Sequence, residues 1–405
     1  MSSSRSLIFI VFLTAFINFL GISIIFPVVT PLLMKSGIFF PPEAEKEAVY
    51  WIGVLKAVYP LTMVIGSPLM GAMGDTWGRK KVLAVAISGS ITGYVMFLAG
   101  ILSANLWLLF LGRLLDGFSG ANTAMLYATI ADTVEPRRRG RYFGLITAAF
   151  GTGFIVGPFL GGILSDPTIL PWFSYVTPFY LTILLLLVNL LFVLFYYPET
   201  FQTRARLSFR DRFRWGWIRR RHRGLGWLLL GGFLAWLGFS AYTQFVDVVM
   251  VRKFGMTVRQ LGLFFGYVGV WIVLTQGVLN RWVSNRFRSG AVLNATMPAL
   301  VASFILFALA PTEGWAYATV PLISIHHGLS YPHYLSTVSA QVSTEYQGRL
   351  LGLYQSAQSL AIGLAPLLVS PIAAAWVTGP LWAAAAVSLA AFGVYRMWAA
   401  RYAAR

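Results

Sequence analysis

The stretch Gly71-Ala-Met-Gly-Asp75-Thr-Trp-Gly78-Arg79-Lys80-Lys81 separates two long apolar runs of the chain. Its eleven residues carry one carboxylate, three adjacent cations and three glycines. Glycine lets a backbone turn sharply because it has no Cβ atom to clash, and clustered lysine and arginine mark the cytoplasmic loops of membrane proteins. The stretch is therefore predicted to form a tight turn at a membrane surface.

The composition indicates a membrane protein. The 405 residues are 58% hydrophobic and 11% charged, whereas soluble domains carry about 25% charged residues. Apolar segments of about 20 residues recur along the whole length, which predicts transmembrane helices rather than the short alternating strands of a β-barrel. The first segment, 7–34, lacks a small-residue cleavage site, so it is predicted to be a retained helix and not a signal peptide.

The formal net charge of +18 is unevenly distributed. The loops predicted to share a side with Arg79 hold 24 lysines and arginines, and the opposite loops hold five. This positive-inside pattern predicts a multi-pass protein of the cell (inner) membrane with both termini in the cytoplasm, and it argues against a nucleic-acid partner. The chain has no cysteine, which excludes disulfides and thiolate metal sites. We expect no metal and no cofactor.

The opening stretch supports a family resemblance. The pattern Gly71-x3-Asp75-x2-Gly78-Arg79-Lys80 resembles the loop between the second and third helices of the major facilitator superfamily. The resemblance implies an all-α membrane protein with twelve transmembrane helices in two pseudo-symmetric six-helix bundles, with the substrate path between them.

The chain divides accordingly into predicted parts. We expect an N-terminal bundle over 1–198, a basic cytoplasmic linker over 199–224 and a C-terminal bundle over 225–405. The motif Gly140-Arg141-x2-Gly144 recurs 208 residues later as Gly348-Arg349-x2-Gly352, as a duplicated six-helix unit would require. The predicted spans are 7–34, 49–72, 81–103, 105–133, 140–165, 175–197, 225–251, 261–283, 290–311, 314–344, 348–370 and 378–400.

The resemblance also implies an ion-pair network at the opening turn. In the superfamily, an acidic residue at the end of the fourth helix contacts the arginine of this motif, which here implies a contact between Asp132 and Arg79. Asp75 is expected to face Arg349 at the start of the eleventh helix. The alternative is a set of helix-end charges in water, each worth less than about 1 kcal/mol. The predicted gating residues are Gly71, Asp75, Gly78, Arg79, Lys80, Asp132 and Arg349.

The fifth segment contains Gly153-x3-Gly157-Pro158-x2-Gly161-Gly162. Three glycines at four-residue spacing share one helix face and let a neighbouring helix approach to backbone contact, and a proline within the segment bends the helix. The pattern resembles the antiporter motif of proton-coupled drug exporters in the superfamily. A glycine-rich face that serves packing alone is the alternative.

The fourth segment carries an arginine and an aspartate among apolar residues. Arg113 matches the fourth-helix arginine of the superfamily, which is implicated in proton transfer in antiporters, and Asp116 lies within reach on the same helix face. A lone charge at the bilayer centre costs about 2.5–3.5 kcal/mol on insertion scales, which suggests a use. A structural ion pair and a titrating pair that lines the cavity both remain open.

Other polar residues within the spans are weaker candidates. Asn18 stands where tetracycline/proton antiporters carry an aspartate, so tetracycline is disfavoured; Asn18 either binds substrate or bridges helices. Lys56 is expected to snorkel outward, and Asp247 to form a surface pair near Arg252. The histidines either titrate near neutral pH or are satisfied within the bundle. The remaining candidates for the substrate or proton pathway are Asn122, Gln244, His326, His333, Gln355 and Gln358.

These patterns favour a secondary transporter that works by alternating access, with proton-coupled efflux of small amphipathic or drug-like molecules as the leading function. A facilitator or importer of a polar metabolite, such as a sugar or an organic ion, is the alternative in the same class. A non-transporting membrane receptor is the alternative from another class. The chain has no HExxH or GxSxG motif, so no catalytic residues and no enzyme are predicted. We expect a monomer whose partners are a small-molecule substrate, protons and the lipid bilayer.

Overall fold

The computed structural model describes residues 2–135, 139–200, 224–342 and 344–402. Within these ranges the regular structure is helical, and no residue is in a β-strand. The predicted linker falls mostly on 201–223, outside the described residues. The α-helices are α1 (Ser2–Ile24), α2 (Phe26–Met34), α3 (Glu45–Gly74), α4 (Arg79–Leu102), α5 (Leu106–Ser119), α6 (Thr123–Thr133), α7 (Arg139–Leu164), α8 (Thr177–Tyr196), α9 (Leu225–Phe254), α10 (Val258–Leu274), α11 (Asn280–Ser284), α12 (Ser289–Ala308), α13 (Glu313–Ser339), α14 (Thr344–Ala375) and α15 (Gly379–Tyr402).

Ten helical stretches in the described part of the chain are long and apolar enough to cross a membrane. They correspond to ten of the twelve predicted spans. The fourth span is not one continuous helix, because a 3-10 turn at Gly120–Asn122 separates α5 from α6. The tenth span forms the 27-residue helix α13, which its histidines and prolines make less apolar than the other ten. The all-helical fold is confirmed, whereas the count of twelve membrane-crossing helices is confirmed only for these ten.

Local sequence signals fix several helix ends. The Asn105 side chain accepts hydrogen bonds from the backbone N–H groups of Trp107 and Leu108, so it caps the start of α5. Gly255 has φ of 73° and ends α9, and its N–H donates to carbonyl groups of the last turn. The first span divides into α1 and α2 at Ile25, just before Pro27, because proline cannot donate a backbone hydrogen bond to a continuous helix.

The chain forms two compact units. The first comprises Met1–Ala48, Val58–Phe209 and Thr257–Gly266. Within it, α1 packs along α7, and α4 packs against α5 and α8. Leu20, Ile24, Phe97 and Phe179 are almost completely buried. Since lipid tails are as apolar as these side chains, close van der Waals packing rather than exclusion of water stabilises such contacts.

The second unit comprises Val49–Ala57, Arg210–Met256 and Tyr267–Arg405. Within it, α9 packs against α14 and α15, and α12 packs against α13 and α15. Its core includes Leu228, Leu293, Tyr334, Leu350 and Trp398. The Tyr334 hydroxyl donates a hydrogen bond of 2.8 Å to the Leu228 carbonyl, so this buried phenol is satisfied.

Candidate functional site

The opening turn is organised around the Arg79 side chain. Its Nη2 atom lies 2.8 Å from Asp75 Oδ1 and its Nε atom lies 3.3 Å from Asp132 Oδ2. The Asp132 and Arg79 side chains are about 90% buried, whereas that of Asp75 is 37% exposed. The contact between Arg79 and Asp132 was predicted from the sequence, and the structure brings the two together. The Arg349 side chain, the predicted partner of Asp75, lies outside the described residues.

A residue that the sequence interpretation missed completes this turn. The Glu199 carboxylate accepts hydrogen bonds from the backbone N–H of Arg79 at 2.8 Å and of Lys80 at 3.3 Å. The carboxylate thus accepts hydrogen bonds from N–H groups that have no partner within α4, at the helix start, where a negative charge is favoured. The only sequence signal was the Pro198-Glu199 pair that follows the sixth apolar run.

The glycines of the turn have different roles. Gly78 has φ of 97°, and a Cβ atom there would lie 2.4 Å from Glu199 Oε2. Both the backbone conformation and the capping carboxylate therefore require glycine at this position. In contrast, a Cβ atom at Gly71 would meet nothing within 4 Å. Gly71 belongs to the motif, but local packing does not explain it.

The glycine face of α7 lies against α1. A Cβ atom at Gly153 would lie 2.6 Å from the Phe16 carbonyl oxygen, and one at Gly161 would lie 2.3 Å from that of Ile24. A Cβ atom at Gly157 would lie 2.1 Å from Ser23 Oγ and 2.7 Å from the Leu20 carbonyl oxygen. The predicted approach to backbone contact is present along this face.

Two further residues of the motif extend its contacts. Pro158 lies inside α7, and its carbonyl oxygen is 2.9 Å from the position of a Cβ atom at Gly262 on α10. A Cβ atom added at Gly162 would lie only 2.6 Å from the Gly262 Cα atom. The glycines of α7 therefore admit two neighbouring helices, α1 and α10, within the first unit.

Arg113 and Asp116 form a buried ion pair in α5. Arg113 Nη1 lies 3.0 Å from Asp116 Oδ2, and both side chains are more than 90% buried. The Arg113 guanidinium carbon lies 4.5 Å from the centroid of the Tyr59 ring on α3, a distance at which the cation is attracted to the ring face. This aromatic contact is separate from the ion pair with Asp116.

Asp116 lines a small cavity in the first unit. Asn18, Tyr59, Ser90 and Tyr94 are among the other lining residues, and they bring hydroxyl and amide groups close to the carboxylate. Carboxylates in polar, partly enclosed surroundings inside membranes are typical of ion and proton pathways.

Asn18 lies at the wall of the same cavity and bridges two elements. Its Nδ2 donates a hydrogen bond of 2.6 Å to Asn122 Oδ1. Among the described residues, the buried Asn122 Nδ2 has no hydrogen-bond partner. The structure thus brings Asn18, Asn122, Arg113 and Asp116 into one region of the first unit.

The sequence interpretation of Lys56 and Asp247 was wrong. Lys56 does not reach outward: its Nζ lies 2.6 and 2.8 Å from the two Asp247 carboxylate oxygens, and both side chains are at least 97% buried. Arg252 and Lys253 instead donate to the Ala373 and Ala308 carbonyl oxygens. Sequence distance favoured neighbours on one helix, but the real partner of Asp247 comes from α3, 191 residues away.

The remaining candidates of the second unit are scattered. His326 is hydrogen-bonded to Ser303, and His333 to Ser289 and Ser284, so each ring has a serine partner from a neighbouring helix. Gln355 is exposed and Gln358 is partly buried. These side chains are not gathered into one site with the Lys56–Asp247 pair.

The second unit contains an aromatic cavity whose lining residues were not predicted. It is lined by Trp236, His327, Tyr331 and Tyr354 together with smaller residues. The His327 ring stacks on Phe239 with the centroids 3.3 Å apart, and Trp236 meets Tyr331 edge-on at 5.2 Å. Such pairs are spread over separate helices, which is why spacing along the sequence did not identify them. None of the described lining residues is an acid, a lysine or an arginine.

A family model of the Major Facilitator Superfamily matches residues 11–366. The chain belongs to the Major Facilitator Superfamily. It is therefore a multi-pass membrane transporter with a small-molecule substrate, and the family is not one of enzymes.

Among relatives in this superfamily, the chain is 28% identical over 379 residues to the tetracycline resistance protein, class B, of Escherichia coli, covering 92% of this chain and 89% of that protein. It is 29% identical over 390 residues to the class G protein of Vibrio anguillarum, covering 95% of each. It is also 25% identical over 426 residues to major facilitator superfamily domain-containing protein 10 of Mus musculus, covering 93% and 89% of the two chains.

Solved structures show the same superfamily fold. The crystal structure of the human organic anion transporter MFSD10 (TETRAN) matches with a TM-score of 0.69 at 22% identity, covering 96% of this chain and 99% of that one. The crystal structure of a D-xylose–proton symporter matches with a TM-score of 0.77 at 16% identity, covering 97% of each chain. At these identities the likeness concerns the fold alone.

Proposed function

We propose that this chain is a proton-coupled antiporter that exports small amphipathic, drug-like molecules from the cell by alternating access. The observation that carries the proposal is the buried Arg113–Asp116 pair, which borders a polar cavity in the first unit. A buried ion pair contributes little net stability compared with apolar packing. A charge pair inside a transmembrane bundle is therefore better explained by use than by stability.

In the proposed cycle, Asp116 carries the proton. Proton uptake neutralises its carboxylate and ends the attraction to Arg113, which stays over the Tyr59 ring. Loss of the proton restores the ion pair. Because the two protonation states differ in a buried charge, each favours a different conformation, and a proton gradient can drive the change between them.

The proposed substrate class rests on the aromatic cavity of the second unit and on the relatives. Rings such as Trp236 and Tyr331 offer stacking and edge contacts to an apolar or aromatic molecule. Several relatives are named for resistance to tetracycline, and another for organic anion transport. Tetracycline itself is disfavoured, because Asn18 stands in place of an aspartate and pairs with Asn122.

The ion-pair network of Asp75, Arg79 and Asp132 lies at the start of α4, which Glu199 caps. This network is proposed to stabilise one of the two alternating states from the cytoplasmic side. The two six-helix bundles predicted from the sequence, joined by a basic linker, are proposed as the moving parts. A monomer in the inner membrane with both termini inside is proposed from the charge distribution.

The direction of flux tests this function. The purified protein is reconstituted in liposomes, a pH gradient is imposed, and movement of the dyes ethidium and N-phenyl-1-naphthylamine is compared with that of D-xylose. Antiport predicts that the dyes cross the membrane in the direction opposite to that of the protons and that xylose does not move. Movement of xylose together with protons, or of any probe regardless of the gradient, would favour the importer or facilitator.

A further inference from the structure

We propose that Asp247 is a second proton-carrying carboxylate, with Lys56 as its counter-ion and a polar stripe on α9 as its access path. The inference rests on the proposed proton-coupled function and extends it to a site outside the region of Asp116.

The Lys56 ammonium group has a full set of hydrogen-bond acceptors. Lys56 Nζ donates to both Asp247 oxygens, at 2.8 and 2.6 Å, and to the Gln244 carbonyl oxygen at 2.7 Å. All three donors of the ammonium are therefore used. Asp247 lies seven residues before the end of α9 and Lys56 eleven residues into α3, so each is about 10–16 Å along its helix from that end. Both side chains are at least 97% buried within the protein.

Stability does not account for this arrangement. Replacing a buried ion pair by apolar residues of similar size is often neutral or stabilising. Ionisable residues inside transmembrane helices mark ion paths and proton relays more often than packing sites. The Lys56–Asp247 pair thus has the same character as the Arg113–Asp116 pair.

A stripe of polar side chains leads to the pair. Ser240, Gln244 and Asp247 follow at intervals of four and three residues, which places them on one face of α9. All three are buried, and among the described residues Ser240 Oγ and Gln244 Oε1 have no hydrogen-bond partner. A buried polar atom without a partner within the protein is available to hydrogen-bond water, and the three side chains extend over about 10 Å of the helix.

The surroundings of the pair contain few competing charges. On α9, Arg252 and Lys253 are bound to backbone carbonyl groups elsewhere, and Tyr242 is the nearest other titratable residue in sequence. The Phe245 ring lies 5.9 Å from Lys56 Nζ. Helix α13 also packs on α9 and carries His326, His327 and His333, of which His327 stacks on Phe239, eight residues before Asp247. Helices α14 and α15, which pack on α9 as well, have no acid, lysine or arginine between positions 350 and 395.

The outer part of α3 is the segment that protonation of Asp247 is proposed to release. Residues 49–57 belong to the second unit, whereas the same helix from Val58 onward belongs to the first, and Pro60 lies just past that boundary. Proline weakens a helix because it removes one backbone hydrogen bond. When a hydronium ion protonates Asp247, an O–H bond forms on one carboxylate oxygen and water is released. Lys56 then faces only neutral acceptors, the remaining Asp247 oxygen and the Gln244 carbonyl oxygen, and loses its attraction to a negative charge. The outer segment of α3 is then free to leave α9, and the proton departs along the stripe.

Proton stoichiometry tests the inference. Wild-type protein in liposomes is expected to move more than one proton for each ethidium ion exported, measured with an internal pH dye and ethidium fluorescence. The variant Lys56→Met/Asp247→Leu, which replaces the pair by apolar groups, is expected to move about one proton fewer while it still exports ethidium. The control Asp166→Asn, which removes a carboxylate from a loop, is expected to leave the ratio unchanged.

The outcomes separate this inference from the proposed function. An unchanged ratio in the double variant would overturn the role of Asp247 but leave proton coupling intact. Wild-type export of ethidium without protons would overturn both. The single variant Lys56→Met keeps the carboxylate without its counter-ion, so its transport should be half-maximal at a higher pH; a pH profile like that of the wild type would count against a proton-binding Asp247 even if the double variant did not fold.

Discussion

Substitution of Gly157 by alanine tests the backbone contact between α7 and α1. The added Cβ atom would lie 2.1 Å from Ser23 Oγ and 2.7 Å from the Leu20 carbonyl oxygen. The serine is not free to rotate away without loss, because its hydroxyl lies 2.7 Å from the Phe19 carbonyl oxygen and 3.1 Å from that of Gly153. The carbonyl of Leu20 belongs to the α1 backbone, so the two helices must separate.

The expected cost follows from this geometry. Overpacking of a tight interior costs about 1–3 kcal/mol, and alanine regains about 1 kcal/mol of helix propensity relative to glycine. Gly151, on the same helix, is a matched control, because a Cβ atom there meets nothing within 4 Å. Gly151→Ala should therefore be as stable as the wild type or slightly more stable.

Thermal unfolding of the purified proteins in detergent provides the assay, with substrate-free samples at one lipid content. Gly157→Ala is expected to unfold at a lower temperature than both the wild type and Gly151→Ala. If the two alanine variants unfold at the same temperature, the close approach of α1 and α7 does not stabilise the protein, and the packing interpretation of the glycine motif is wrong.

Three other predictions concern charges and caps. Asp247→Asn leaves Lys56 buried without its counter-ion and should cost about 3–5 kcal/mol in unfolding free energy, whereas the apolar double variant at these positions should cost much less; thermal unfolding measures both. Gly78→Ala should destabilise the protein by about 1–3 kcal/mol, because φ of 97° strains alanine and its Cβ displaces the carboxylate that caps α4; unfolding and flux assays should both register the loss. Hydrogen bonds from Thr168 hold the pKa of Asp166 below its usual value, so this carboxylate stabilises the folded state above the unfolded-state pKa and loses that effect as the pH falls through the lower folded-state pKa; the stability difference between wild type and Asp166→Asn should shrink as the pH falls below the unfolded-state pKa of about 3.9.

The sequence predicted the features that depend on local pattern. Apolar run length gave the helices, and the glycine spacing of α7 gave a helix face that contacts its neighbour. Arg113 and Asp116 were foreseen as a pair because three residues along a helix bring two side chains to one face. The contact of Arg79 with Asp132 was foreseen only through the family resemblance, since it joins two helices.

The features that the sequence did not predict depend on contacts between distant segments. Lys56 and Asp247 were interpreted as outward-facing because hydrophobic length says how deep a residue lies but not which helix it faces. Glu199 was missed because a capping carboxylate from a distant segment, here the one that follows α8, has no fixed spacing in the sequence. The fourth span was drawn as one helix, although the small residues near Gly120 allow a 3-10 turn that divides it.

The central claim is that Asp116 couples proton movement to export, and one comparison tests it directly. Wild-type protein and Asp116→Asn are reconstituted in liposomes, and ethidium counterflow without a gradient is measured beside ethidium export driven by a pH gradient. The account predicts that Asp116→Asn retains counterflow, because the substrate still binds and the protein still changes conformation, but exports ethidium under the gradient more slowly than the wild type and moves fewer protons for each ethidium ion. Gradient-driven export at the wild-type rate in Asp116→Asn would contradict it.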